Sequence, residues 1–195
     1  MQNDILCIDV GSTNIKYALF TDFRRRGGGR LPFPAPCRSG GGFFEVRTQE
    51  IAAAVMHIIR AAPEGCGVLL SVQMHGHILS ARRDIYVSWR DTRSQSGGTF
   101  AHFCRELAPY IPPQSGTSLK ANLAVCSLLY DMERGSPVEG ELYSLGYYLA
   151  YVLTGNNLAH ESDLAALGFY LRGGRENGAL LAALPYSVKL PACAV

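Results

Sequence analysis

The sequence has no apolar run near the roughly 20 residues needed to span a bilayer; its longest candidates are broken by Gly, His or a charge. A membrane span is therefore not expected. Excess charge is missing too. A formal net charge of +2 supplies no field able to gather nucleic acid or anionic lipid, which leaves a small molecule as the better-fitting partner. The start, Met1-Gln2-Asn3-Asp4, lacks the basic region and apolar stretch of a secretory signal. Six cysteines, Cys7, Cys37, Cys66, Cys104, Cys126 and Cys193, stand singly, with no C-x-x-C and no zinc-like spacing. That pattern reads as reduced thiols in a cytoplasmic protein.

What is present is enough apolar material for a core. With 48% hydrophobic and 17% charged residues over 195 positions, the chain reads as one globular domain, residues 1–195. Ile5–Asp9 and Ile15–Phe20 flank the turn cluster Gly11-Ser12-Thr13-Asn14, which predicts an opening β-hairpin. From Arg24 to Gly42 the composition turns to Arg, Gly and Pro, which predicts a loose hairpin or loop. Ile51, Val55, Ile58 and Ile59 recur at helical spacing after Thr48 as cap, and Pro63 stops the run. Gly67–Val72 is continuously apolar, as in a strand buried on both faces. Weaker strands follow at 78–81 and 85–89, then helices at about 95–107, 118–133 and 142–153, the last stopped by Thr154-Gly155. Together these predict an α/β domain with a mixed sheet flanked by helices.

Three constellations carry chemistry. In the first, Asp9 ends a strand, Gly11, Ser12, Thr13 and Asn14 form a turn whose amides suit an anion, and Lys16 adds a compact positive charge. Asp9 suits magnesium, directly or through water; an ordinary capped hairpin turn has the same composition. In the second, Gln73-Met74-His75-Gly76-His77 follows the apolar strand, and a strand's carboxyl end commonly holds a site. Gln73 and His75 suit a polyol, although His75 is equally readable as a satisfied strand-end histidine. His75 and His77 lie two apart in extended chain, on opposite faces, which argues against a shared metal. In the third, Trp89-Arg90-Asp91-Thr92-Arg93 sets the only tryptophan beside charges. It reads either as a sugar-stacking indole or as a core residue before a helix. Lys120 is by default a surface lysine at a helix start.

In order along the chain, these segments resemble the N-terminal domain of the FGGY family of carbohydrate kinases, from Ile5 to about Leu171. Asp9–Lys16 is similar to the family's first phosphate loop. Ser71–Gly76 is similar to the sugar segment of its xylulokinase-like members, and Trp89–Arg93 to its W-x-D-x-R stretch. Ser118-Leu119-Lys120 and Tyr148–Gly155 resemble two later landmarks. The resemblance implies a ribonuclease H-like domain of the actin-like ATPase superfamily, with ATP and magnesium as cofactors and γ-phosphoryl transfer to a ketose or polyol hydroxyl. By position it assigns Asp9 to the metal, and Gly11, Ser12, Thr13, Asn14 and Lys16 to phosphate. Gln73, Met74, His75, Trp89 and Asp91 are assigned to the sugar. It places the family's aspartate base and its ATP-binding domain beyond Val195, so no catalytic residue is expected in this chain, which reads as truncated before the domain's end and as inactive by itself. Ser162 and Asp163 only approximate the family's acid and hydroxyl segment. A noncatalytic sugar-binding or regulatory remnant is the other reading, and the oligomeric state is not legible.

Overall fold

The computed structural model describes residues 4–111, 118–156 and 159–194. The opening alternation does what its period requires. Strand β1 (Asp4–Val10) and strand β2 (Asn14–Thr21) pair antiparallel, Asp4 opposite Thr21 and Val10 opposite Ile15. Leu6, Ile8, Val10 and Ile15 point into the core, where they join Ile51, Val55 and Ile58 of helix α1 (Thr48–Arg60). Cys7 and Asp9 alternate to the other face. Thr48 is the first helical residue rather than the cap; its hydroxyl donates to the Arg83 carbonyl at 2.7 Å.

Two expectations fail at the sheet's edges. Arg24–Pro32 is not a loop but a nine-residue strand, β3, paired antiparallel with β2 across a bulge at Leu19/Phe20. Glycine and arginine disfavour a strand in isolation, but β2 offers an unpaired backbone edge, and pairing outweighs the weak local preference. At Gly28 a side chain would strike the Tyr17 carbonyl, so the close approach itself calls for glycine. Strand β6 (Gly67–Val72) lies parallel to β1 at the opposite edge of the order β3-β2-β1-β6. It is not buried on both faces: Val68 is 41% and Leu69 60% exposed. Only β1 pairs with it, which leaves its other edge without a partner strand among the described residues.

A second, antiparallel sheet runs β4 (Arg38–Gly40), β5 (Phe43–Arg47) and β8 (Ile85–Val87). Strand β7 (Ile78–Leu79) pairs with β9 (Leu142–Tyr143). Helices α2 (Thr99–Glu106), α3 (Ala124–Glu133) and α4 (Leu145–Thr154) follow, each shorter at its start than its apolar spacing predicts. Residues 118–123 are irregular, so Lys120 precedes its helix instead of opening it. Gly155, in the left-handed region, ends α4 as expected, its amide donating to the Tyr151 carbonyl at 2.8 Å. Beyond it, β10 (Ala159–His160) pairs with β13 (Cys193–Ala194), α5 (Glu161–Ala165) follows β10, β11 (Tyr170–Leu171) pairs with β12 (Arg175–Glu176), and α6 (Gly178–Ala183) completes the described helices.

A buried ionic network ties these layers together. Arg93, 1% exposed, donates from Nε and Nη2 to Asp91 at 2.9 and 2.8 Å, from Nη1 to Asp131 at 2.9 Å and from Nη2 to Glu45 at 2.6 Å. Arg82 adds bonds to the same Glu45 and Asp131. Burial works against the Arg93 charge, but the bonds and charges of Asp91 and Asp131 outweigh it and hold the guanidinium above its ordinary pKa. The network links β5, the 3-10 turn Ser80–Arg82, the Trp89–Arg93 segment and α3. Among the described residues, Arg93→Ala would leave Asp91 with no cationic partner and Glu45 and Asp131 with only the part-exposed Arg82 and, at 3.9 Å from Glu45, Arg38, and loss of one partner of a buried pair costs about 3–5 kcal/mol. Urea unfolding of that variant is expected to show a loss of this size; a loss below about 1 kcal/mol would mean that the network does not hold the layers.

Candidate functional site

The parallel pairing of β1 and β6 sets Asp9 beside Ser71 and Val10 beside Val72. Beyond both strand ends, the Gln73 amide donates to the Val10 carbonyl at 3.0 Å. The hairpin turn and the Gln73–Gly76 segment are therefore neighbours at one end of the sheet, the usual place for a site in an open α/β sheet.

In the turn, the Gly11 amide closes onto the Asn14 carbonyl at 3.1 Å and the Thr13 carbonyl accepts from Phe33 at 2.9 Å. The Ser12 and Thr13 amides make no backbone bond among the described residues. Asp9 and Lys16 face each other across the β1–β2 register, both exposed, and line with Ser71 a cavity of about 530 Å³. Spare amides, a hydroxyl, an ammonium group and an exposed carboxylate make a donor set that fits phosphate oxygens and a hydrated divalent cation.

His75 carries the clearest local signal. Its φ of +68° is left-handed, a region a non-glycine residue adopts at a cost of order 1–3 kcal/mol and one that clusters at functional sites. The neighbouring Gly76 is fixed by packing, since a Cβ there would overlap the Tyr86 ring. Burial, opposed by a bond to the Ala166 carbonyl and assisted by the Lys120 charge, lowers the His75 pKa. Nδ1 lies 3.4 Å from that carbonyl, an arrangement that needs the proton on Nδ1 and leaves Nε2 to accept a hydroxyl. Both amide atoms of Gln73 are buried without a partner, which is costly unless a ligand or water satisfies them. Met74, 59% exposed, and His75 line a cavity of about 290 Å³ with Ser118, Lys120, Ser162 and Ala166. A third cavity of about 480 Å³ shares Leu70 and Ser71 with the first and Met74 and Ser162 with the His75 cavity. Burial raises the pKa of Asp163 on its wall.

The W-x-D-x-R residues are placed differently. Asp91 is fully buried; its carboxylate accepts from Arg93 and from the Phe44 amide at 2.8 Å, so it holds the loop instead of lining the cavity. Trp89, 41% exposed, stands outside the cavity wall, its carbonyl accepting from Asn122 at 2.6 Å. His77 bonds through its backbone to Val87 and is buried. Ser118, Ser162 and Asp163 line the second and third cavities from segments that spacing alone leaves unmarked; the acid and hydroxyl at 162–163 were the available signal.

Burial, reinforced by the Arg93 and Arg82 charges, lowers the His77 pKa from 6.5 to about 3. Between those values the unfolded chain binds one proton more than the folded chain. Stability contributed by neutral His77 is therefore complete above pH 6.5 and is lost as pH falls toward 3, at about 1.4 kcal/mol per unit. Chemical unfolding at pH 7, 6 and 5 is expected to show a slope shallower by about one proton in His77→Gln than in the parent chain. Equal slopes would contradict this origin.

The chain has a fold shared with solved carbohydrate and polyol kinases. Gluconate kinase from Lactobacillus acidophilus superposes with a TM-score of 0.84 at 19% identity, over 100% of this chain and 42% of that one. Ligand-bound xylulose kinase from the same organism gives 0.82 at 20% identity, over 98% and 42%. Plasmodium falciparum glycerol kinase with ADP gives 0.73 at 13%, over 98% and 43%. The chain thus spans less than half the length of these structures, and at these identities the likeness is one of fold, the actin-like α/β fold that the motifs imply. No protein-family model and no curated protein matches the chain. Among the described residues, no helix is long and apolar enough to cross a membrane.

Proposed function

We propose that this chain is the sugar-binding N-terminal part of an ATP-dependent carbohydrate kinase of the FGGY type, acting on a ketose or polyol chain. The supporting observation is the adjacency of the two motifs: the anion-suited hairpin and the strained His75 segment emerge side by side where β1 and β6 end. The related folds are named as kinases of gluconate, xylulose and glycerol, in keeping with a polyhydroxy acceptor.

In this reading each side chain has a limited task. The Ser12 and Thr13 amides and Lys16 bind phosphate oxygens and offset their charge, and Asp9 holds magnesium through water. Gln73 and the His75 Nε2 orient the acceptor's hydroxyls, and Met74 covers its carbon chain. ATP supplies the γ-phosphoryl group, and catalysis of such a transfer rests on positioning and charge compensation. Among the described residues, the wall of the His75 cavity carries no carboxylate to take a hydroxyl proton. That observation favours binding without turnover by these residues alone, and it keeps a noncatalytic sugar-binding remnant as the second reading.

A thermal-shift panel of ketoses, polyols and polyol acids tests the proposal. A ligand at 100 times its Kd stabilises by about 2.7 kcal/mol, a midpoint shift of a few degrees. At least one panel member is expected to give such a shift. His75→Gly, which tolerates the left-handed backbone, should stay folded by circular dichroism and lose the shift. A flat panel on the folded chain, or an undiminished shift in His75→Gly, would overturn the assignment.

A further inference from the structure

The cavity beside His75 is not electrically neutral. Lys120 lines it with Ser118, Ser162 and His75, and among the described residues no carboxylate does. Among the described residues Lys120 forms no ion pair, whereas the carboxylates of Glu45, Asp91 and Asp131 are all committed to the arginine network.

The backbone at Lys120 and the two residues after it is held in place. The Lys120 carbonyl accepts from the Leu123 amide at 3.2 Å. The next carbonyl, Ala121, accepts from the buried Ser94 hydroxyl at 2.7 Å, and Asn122 donates to the Trp89 carbonyl at 2.6 Å. Ser94 and Trp89 flank Asp91 and Arg93, so the segment bearing Lys120 is anchored on the ionic network and not left as a floating loop. Lys120 and His75 line the same cavity, and the lysine charge is the smallest of the three influences on the His75 pKa.

We propose that Lys120 is a specificity residue and that the acceptor is a polyhydroxy carboxylate, a sugar acid whose carboxylate meets Lys120 while its hydroxyls meet His75 and the serines. This inference rests on the carbohydrate-binding reading above. An ammonium lining a concave site forms an ion pair with a carboxylate, charge meeting charge, whereas a CH₂OH group at the same position offers it only a neutral acceptor.

Matched skeletons isolate this contact: D-gluconate against D-glucitol, and D-xylonate against xylitol. Titration calorimetry on the 195-residue chain is expected to show each acid binding at least about tenfold more tightly than its polyol, the factor that a charge-assisted bond of about 1.5 kcal/mol supplies. Raising the salt from about 0.05 M to 0.5 M should weaken the acids alone. In Lys120→Gln the acid preference should vanish, the acids losing more affinity than the polyols. Equal binding of acid and polyol by the parent chain, a preference for the neutral sugar, or a preference that survives Lys120→Gln each overturns the inference and leaves the carbohydrate-binding reading standing. If a chain shown to be folded by circular dichroism binds no panel member, the reading itself falls, and the inference with it.

Discussion

The structure depends first on the parallel pairing of β1 with β6. That register, from Ile5 beside Gly67 to Val10 beside Val72, makes two strands distant in sequence stop at one level. Their successors, the Gly11–Asn14 turn and the Gln73–Gly76 segment, therefore emerge side by side. Slipping the pairing by one residue would send Asp9 into the core and Ile8 to the open face. The burial of Leu6, Ile8 and Val10 against α1 guards the register. Packing on one face of the sheet thus fixes the chemistry on the other.

A second constraint works on the far wall of the site. Arg93 gathers carboxylates from β5, its own segment and α3, and this network fixes the loop to which the backbone around Lys120 is bonded. Asp91 and Arg93 therefore act on the His75 cavity through position, by anchoring the segment that carries Lys120. An arginine here does what no apolar residue of equal volume does, since it satisfies three acids and a loop at once. Buried His77 stays neutral under the same two arginines.

Much of this was legible in the sequence. Alternation fixed β1 and β2, helical spacing fixed α1, and the order of Asp9–Lys16, Gln73–Gly76 and Trp89–Arg93 pointed to the fold. Where sequence reasoning failed, long-range terms had overruled local ones. Gly27–Gly29 became strand because β2 offered its edge, and Val68 and Leu69 are exposed because strand composition does not reveal which strand lies at a sheet's edge. Asp91 looked like a ligand residue because a carboxylate beside tryptophan has the same spelling whether it faces solvent or Arg93. Ser162 and Lys120 come together with His75 only through tertiary packing.

The central claim, that the phosphate hairpin and the acceptor segment form one site, is tested most directly by paramagnetic relaxation. Manganese(II) with pyrophosphate, added to the chain labelled at its methionine methyl groups, is expected to broaden the Met74 resonance in the parent protein and not in Asp9→Asn. An unaffected Met74 signal, or broadening that persists without the Asp9 carboxylate, would contradict the account.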